Sequence, residues 1–168
     1  NALIEVAGII VVDGVQKAEF GYHPSPFESD EIEDSALAVN GIKRESFALF
    51  SKPRDVYSEL QGIFREHVDK FDKRDKFFFV GYNARFDADF VRAFFEKCGD
   101  VYFGSWFWFP PIDVMNLAAT KLMDRRSSLP NFKLATVAEA FGLRSEGELH
   151  VAHNDIKLTK QLFDKLTQ

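Results

Sequence analysis

Two aspartates, each set at the start of a helical stripe, are the side chains in this sequence best placed to do chemistry. In the stretch His150-Val151-Ala152-His153-Asn154-Asp155, the last residue heads a helical run over 156–166 in which Asp155, Thr159, Leu162 and Leu166 share one face. Asp87 stands in the same relation to Phe90 and Val91, three and four residues on. A carboxylate at the top of an apolar face needs a reason, because an isolated buried charge is pushed to its neutral form. Either a cation or a set of donors holds it. A hard divalent cation such as Mg²⁺ fits the first alternative, since it takes a few carboxylate oxygens, keeps several waters and shares substrate phosphates. A helix cap or a partner for the helix dipole is the second. His150 and His153 add imidazoles that titrate near neutrality and are suited to moving a proton. His23 and His67 have no acidic or histidine partner at ligand spacing.

The elements that must position these groups follow from periodicity and turn chemistry. Residues 3–12 form a β-rich run closed by Asp13-Gly14, and 15–22 read as the returning strand of a hairpin. Pro24 and Pro26 punctuate a loop that continues through the acidic stretch 28–33, read as solvated, and 35–39 make a short helix ending at Asn40-Gly41. From 55 to 71, Val56, Tyr57, Leu60, Ile63, Phe64, Val68 and Phe71 follow the 3.6-residue period of an amphipathic helix. Phe77-Phe78-Phe79-Val80 is apolar on both faces, as in a central parallel strand covered on both sides, and ends at Gly81-Tyr82-Asn83. The next helix carries Phe90, Val91, Phe94, Phe95 and Cys98 to a stop at Gly99. Pro110-Pro111 separates the aromatic run 102–109 from Ile112-Asp113-Val114, where Asp113 caps a helix bearing Leu117, Ala118 and Leu122. The polar tract 124–128 reads as a loop, 134–141 as a helix ending at Gly142, and 145–148 as a connection into the His150 stretch. Together these make one α/β domain over residues 1–168.

Composition sets outer limits. A chain of 168 residues with 46% hydrophobic content can bury about 70% of the surface its unfolded form exposes. The single Cys98 excludes an internal disulfide framework and any zinc site built on paired cysteines, and it fits a reducing, cytoplasmic setting. No run of apolar residues is long enough to span a membrane. A net charge of -5 argues against a duplex-coating protein, but not against an acidic pocket whose metal ions bring their own positive charge.

Asn83-Ala84-Arg85-Phe86-Asp87 after an apolar strand, and the H-x-A-x-x-D pattern of 150–155 before the last helix, resemble the second and third motifs of the DEDDh 3′-to-5′ exonucleases. That superfamily includes polymerase proofreading domains, ribonuclease T and oligoribonuclease. The likeness spans nearly the whole chain: 3–7 looks like the family's second strand, 38–42 like the segment flanking the terminal nucleotide, and Ile112-Asp113 like its strand-to-helix aspartate. The stretch 22–42 is most similar to ribonuclease T.

The resemblance implies a ribonuclease H-like mixed sheet flanked by helices, with two Mg²⁺ or Mn²⁺ ions at its carboxylate end. It makes Asp87 and Asp155 metal ligands and His150 the general base. His150 alone has the family's offset to an aspartate, which leaves His153 as a surface residue at a helix start. It also puts Asn40, Gly41, Ile42, Tyr82, Asn83 and Phe86 at the substrate, which would be the 3′ end of a single-stranded nucleic acid. Phe86 either packs under the scissile nucleotide or stacks on a base, a contact worth about 1–3 kcal/mol. Most of the 19 Phe read as core. The cluster Trp106, Phe107, Trp108 and Phe109 reads as the exception, exposed to nucleic acid or to a partner. A polymerase partner and a homodimer are both compatible with the resemblance.

One departure matters. The family's first motif, D-x-E, belongs on a central strand ahead of Leu3, and this sequence starts at Asn1, after that place. Glu5 matches the family's second-strand glutamate and does not substitute for the metal pair. The expectation is that the natural protein carries the strand upstream, and that the 168 residues alone are inactive and poorly soluble unless another chain supplies it. The competing class is a catalytically inactive exonuclease-like module that binds single strands or a polymerase. A plain α/β domain matching both motifs by chance is the third alternative.

Overall fold

The computed structural model describes residues 2–39, 41–145 and 152–168. β1 (Val6–Val12) and β2 (Val15–Tyr22) form the expected antiparallel hairpin, starting three residues later than the sequence suggests. Its two-residue turn has positive φ at both Asp13 (52°) and Gly14 (76°), the conformation whose twist matches that of the flanking strands. α1 (Asp34–Val39) is closed by Ile42 N–H donating to the Leu37 carbonyl at 3.0 Å, with Gly41 left-handed at φ 65°. A 3-10 turn, Arg44–Leu49, leads to α2 (Pro53–Arg65), which has Pro53 in its first turn, where the missing N–H costs nothing.

β3 (Phe77–Gly81), α3 (Ala84–Lys97) and β4 (Phe107–Asp113) make a parallel crossover unit. α4 (Val114–Lys121), a 3-10 turn (Met123–Ser128), α5 (Leu134–Ala140) and α6 (Ala152–Thr167) complete the described chain. Antiparallel and parallel pairing are both present, in two two-stranded sheets flanked by helices, a mixed α/β arrangement. Among the described residues β1 pairs only with β2, and β3 only with β4.

Two apolar clusters hold the elements. The larger joins both sheets to α2 and α3 through Ile10, Val56, Leu60, Phe64, Phe94, Phe95, Phe103 and Trp106. The smaller joins α4, α5 and α6 through Val114, Ala118, Leu122, Val137 and Leu162. A buried polar knot ties α2 to the end of α3: Tyr57 hydroxyl donates to Asp100 Oδ2 at 2.8 Å, and Gln61 amide donates to the same oxygen at 3.2 Å. No helix among the described residues is long and apolar enough to cross a membrane.

The structure corrects several expectations. α2 ends at Arg65, so the stripe stops short of Phe71, which is 85% exposed in the following loop. β3 is covered on one face only. Phe77 and Phe79 pack into the larger cluster, whereas Phe78 is 62% exposed, because among the described residues the helix packed most closely on this strand, α3, lies on the core side. The aromatic cluster divides: Trp106 is among the largest fully buried side chains, Phe107 lines the core, and only Phe109 is strongly exposed. Trp106 is drawn in because it packs edge-on to Phe64 at 5.6 Å. Pro110-Pro111 does not separate the aromatic run from Ile112. β4 runs through both prolines at a register shift, where three of its residues span a gap that Phe79 alone spans on β3, and an edge position there does not need their missing N–H groups. The tract 124–128 is wound into a 3-10 turn and is not an open loop.

Candidate active site

β3 and β4 run parallel with Gly81 opposite Asp113, so both strands deliver their carboxyl ends, and the helices that follow, to one edge. Asp113 caps α4 by accepting Met115 N–H on Oδ1 at 2.9 Å. The same oxygen accepts Asn83 N–H at 3.0 Å. Asn83 sits in the left-handed region (φ 65°, ψ 45°), which Asn tolerates better than most residues, and this sharp turn aims the start of α3 back over the strand end.

Asp87 is in the first turn of α3. Its Oδ2 lies over Gly81, where an added Cβ would stand 3.3 Å from it and 3.2 Å from Ala84 Cα. The residue is open to solvent on one side, but its carboxyl is crowded on the other. That burial, reinforced by the negative charge of Asp113, pushes its pKa up to about 6. Two carboxylates therefore face one another across the strand ends. Among the described residues no group of three or more His, Cys, Asp or Glu side chains is arranged to hold a metal ion. The pair nevertheless suits a cation that keeps waters and shares substrate oxygens, since added positive charge would relieve the strain that raises Asp87.

The neighbours serve this edge differently. Tyr82 is half-buried and its hydroxyl donates to the Phe132 carbonyl at 2.7 Å, with its pKa pushed up to about 12 by burial and by Asp113. Asn83 is exposed, and Phe86 is 58% exposed with its ring 4.7 Å from that of Phe90. Gly41 and Ile42 close α1, a separate element. Asn40 and His150 lie outside the described residues.

Asp155 is in the first turn of α6, half-buried above Thr159 and Leu162, so the stripe inferred from spacing is present. α6 packs on β1, whereas α3 packs on β3 and β4; α4 touches both α6 and β3. The head of α6 is pinned from the hairpin side. Glu5 accepts Ala152 N–H at 3.3 Å, and Glu19 pairs with His153 at 2.8 Å and Lys157 at 3.3 Å. Burial draws the Glu19 carboxyl upward, but hydrogen bonds from Lys157 and Gln16 and the charges of Lys157 and His153 outweigh it and hold its pKa below the ordinary value. His153 is thus a surface residue engaged with Glu19, in keeping with its reading from sequence.

Sequence reasoning placed Asp113 as a cap and missed it as the acid facing Asp87. The signal available was a strand-to-helix aspartate following a second apolar run, but the pairing depends on the parallel register of β3 and β4, which spacing alone does not give. A family model described as Exonuclease matches residues 1–163. No curated protein matches the chain.

Proposed function

Because the chain belongs to this exonuclease family and is thereby a nuclease in kind, we propose that it is a metal-dependent 3′-to-5′ exonuclease that hydrolyses the terminal phosphodiester of single-stranded DNA or RNA. The observation that carries this reading is the Asp87 carboxylate, held at the carboxyl end of β3 beside Asp113 with its pKa raised to about 6. An acid pair kept short of positive charge at a strand end suits a cation and a phosphate, and Asp87, unlike Asp113, caps no helix among the described residues.

Asp87 and Asp155 would hold the divalent cations, Mg²⁺ or Mn²⁺, which when bound would lower the pKa of water and neutralise the leaving oxygen. His150 takes the proton of the attacking water. The water oxygen bonds to phosphorus, the bond from phosphorus to the 3′ oxygen breaks, a 5′-nucleotide departs, and the shortened strand keeps a 3′ hydroxyl. Asp113 orients the turn at Asn83 and so sets where α3 delivers Asp87. Phe86 offers an exposed ring for the terminal base, while Tyr82, its hydroxyl committed to Phe132, contributes the shape of its ring. Asn40, Gly41 and Ile42 border the terminal nucleotide in this reading.

The test is cleavage of a 5′-labelled single strand with Mg²⁺ or Mn²⁺. A ladder shortening from the 3′ end, lost in His150→Ala while Mn²⁺ binding by calorimetry persists, is the expected result. Cleavage from the 5′ end, or an unchanged rate in His150→Ala, overturns it. Strand binding without any cleavage would favour the inactive binding module instead.

A further inference from the structure

The connection from Lys121 to Lys133 carries Lys121, Arg125, Arg126 and Lys133 against the single acid Asp124, in a chain whose 21 cations are outnumbered by 26 acids. All four cations are exposed, and among the described residues none of them forms an ion pair with a carboxylate. The segment 69–76 at the opposite end of β3 has as many cations, but they alternate with Asp69, Asp72 and Asp75, and Arg74 is paired with Asp72 at 3.2 Å. Of these two segments, only 121–133 carries a clear excess of positive charge.

That segment is built and is not a floppy loop. The 3-10 turn Met123–Ser128 is held by Ser128 hydroxyl donating to the Arg125 carbonyl at 2.7 Å. Asn131 Oδ1 accepts Lys133 N–H at 3.0 Å and Thr136 hydroxyl at 2.7 Å, and Leu129 and Phe132 pack into the smaller cluster. The Arg126 guanidinium lies 4.5 Å from the Phe132 ring centroid, a cation–π contact that braces it while the residue stays exposed. Phe132 in turn takes the Tyr82 hydroxyl at its carbonyl, one residue from Asn83. Arg126 is close enough to Tyr82 for its charge to act on the phenol. The basic segment thus stands at the rim of the acid pair.

We propose that the segment 121–133, led by Arg126 braced on Phe132, is the track for the phosphodiester backbone of a single strand whose end lies at Asp87. This rests on the nuclease reading for its choice of polyanion. Carboxylates without a cation at the strand ends repel a nucleic acid, and a flanking row of cations without carboxylate partners supplies the attraction that brings it in. A planar guanidinium braced on a ring suits phosphate oxygens better than a free ammonium does.

The experiment is fluorescence anisotropy of the full chain with a labelled single-stranded DNA and an RNA of the same sequence, in a chelating buffer without divalent metal, over 25–200 mM salt, a range of about a decade chosen to resolve the slope. Arg125→Ala/Arg126→Ala should weaken binding about tenfold at the lowest salt and reduce the slope of log affinity against log salt by about 1.4, at roughly 0.7 for each single-strand phosphate that is no longer neutralised. Phe132→Leu, which keeps every charge, should recover only part of the wild-type affinity. Lys73→Ala/Arg74→Ala, which removes the same charge elsewhere, should change neither affinity nor slope. No binding by the wild type, an unchanged slope in the arginine variant, or an equal weakening in the Lys73/Arg74 control overturns the proposal. Cleavage is not read in this assay, so a protein that binds through the arginines without cutting refutes the exonuclease reading alone. One that cuts but binds independently of them refutes this proposal alone.

Discussion

The heads of α3 and α6 look alike in sequence, an aspartate above a buried stripe, yet the fold gives them opposite electrostatic settings. At α3 the Asp87 carboxyl meets Asp113 and its pKa is pushed up to about 6. At α6 the hairpin brings Glu19 into contact with His153 and Lys157, and that carboxyl's pKa is held below its ordinary value. The difference teaches that motif spacing fixes where a carboxylate stands along a helix, while the partner strands decide what its charge meets. The first head is strained and suited to an incoming cation. At the second, Glu19 is already paired and fastens the helix that carries Asp155.

The sharpest way to break the comparison is activity. Asp87→Asn and Asp155→Asn should each lower metal-dependent cleavage by about 100-fold or more. Near-full turnover in either variant would show that its helix head is not part of the site. Next in size is packing. Trp106→Ala, in the cluster behind α3, should cost about 3–5 kcal/mol, and Leu162→Ala, in the cluster behind α6, about 2–5 kcal/mol, read from urea midpoints. A single transition for both variants means that the two halves fold together, and two separate transitions would mean that they do not.

The pH dependences should run in opposite directions. Asp87 binds its proton more tightly folded than unfolded, so it lowers stability as pH rises from its unfolded value through about 6. Asp87→Asn should therefore raise the metal-free melting temperature by about 1–2 °C at pH 7.5, discounted for the open side of the residue, and have no effect near pH 4. Glu19 binds its proton more weakly folded, so its contribution is present above its unfolded value and is lost as pH falls through the folded one. Glu19→Gln should cost under about 1 kcal/mol at pH 7 and nothing in acid, the smallest of these effects. Calorimetric scans of both variants at the two pH values check the signs, and matching signs would undo the contrast.

Much of this was legible from pattern alone. The hairpin is written in Asp13-Gly14, α3 and α6 in their stripes, and the start of α4 in Asp113, because each depends on neighbours within a few residues. What escaped depends on distant contacts. Phe71 continues a helical period that the chain abandons at Arg65, and Phe78 belongs to an apolar strand that is covered on one face only. Trp106 is buried by Phe64, more than forty residues away. The meeting of Asp87 with Asp113 and the bracing of Arg126 on Phe132 are likewise products of register and packing, which no local spacing encodes.

The single oxygen Asp113 Oδ1, which accepts from both Asn83 and Met115, has a mechanical consequence. It is a pivot shared by two helices. α4 leads directly into the basic segment, and α3 carries Asp87, so tension on one arm is transmitted to the other through two hydrogen bonds and about 6 Å of path. A strand pulled taut along 121–133 would load the very joint that sets the height of the Asp87 carboxyl.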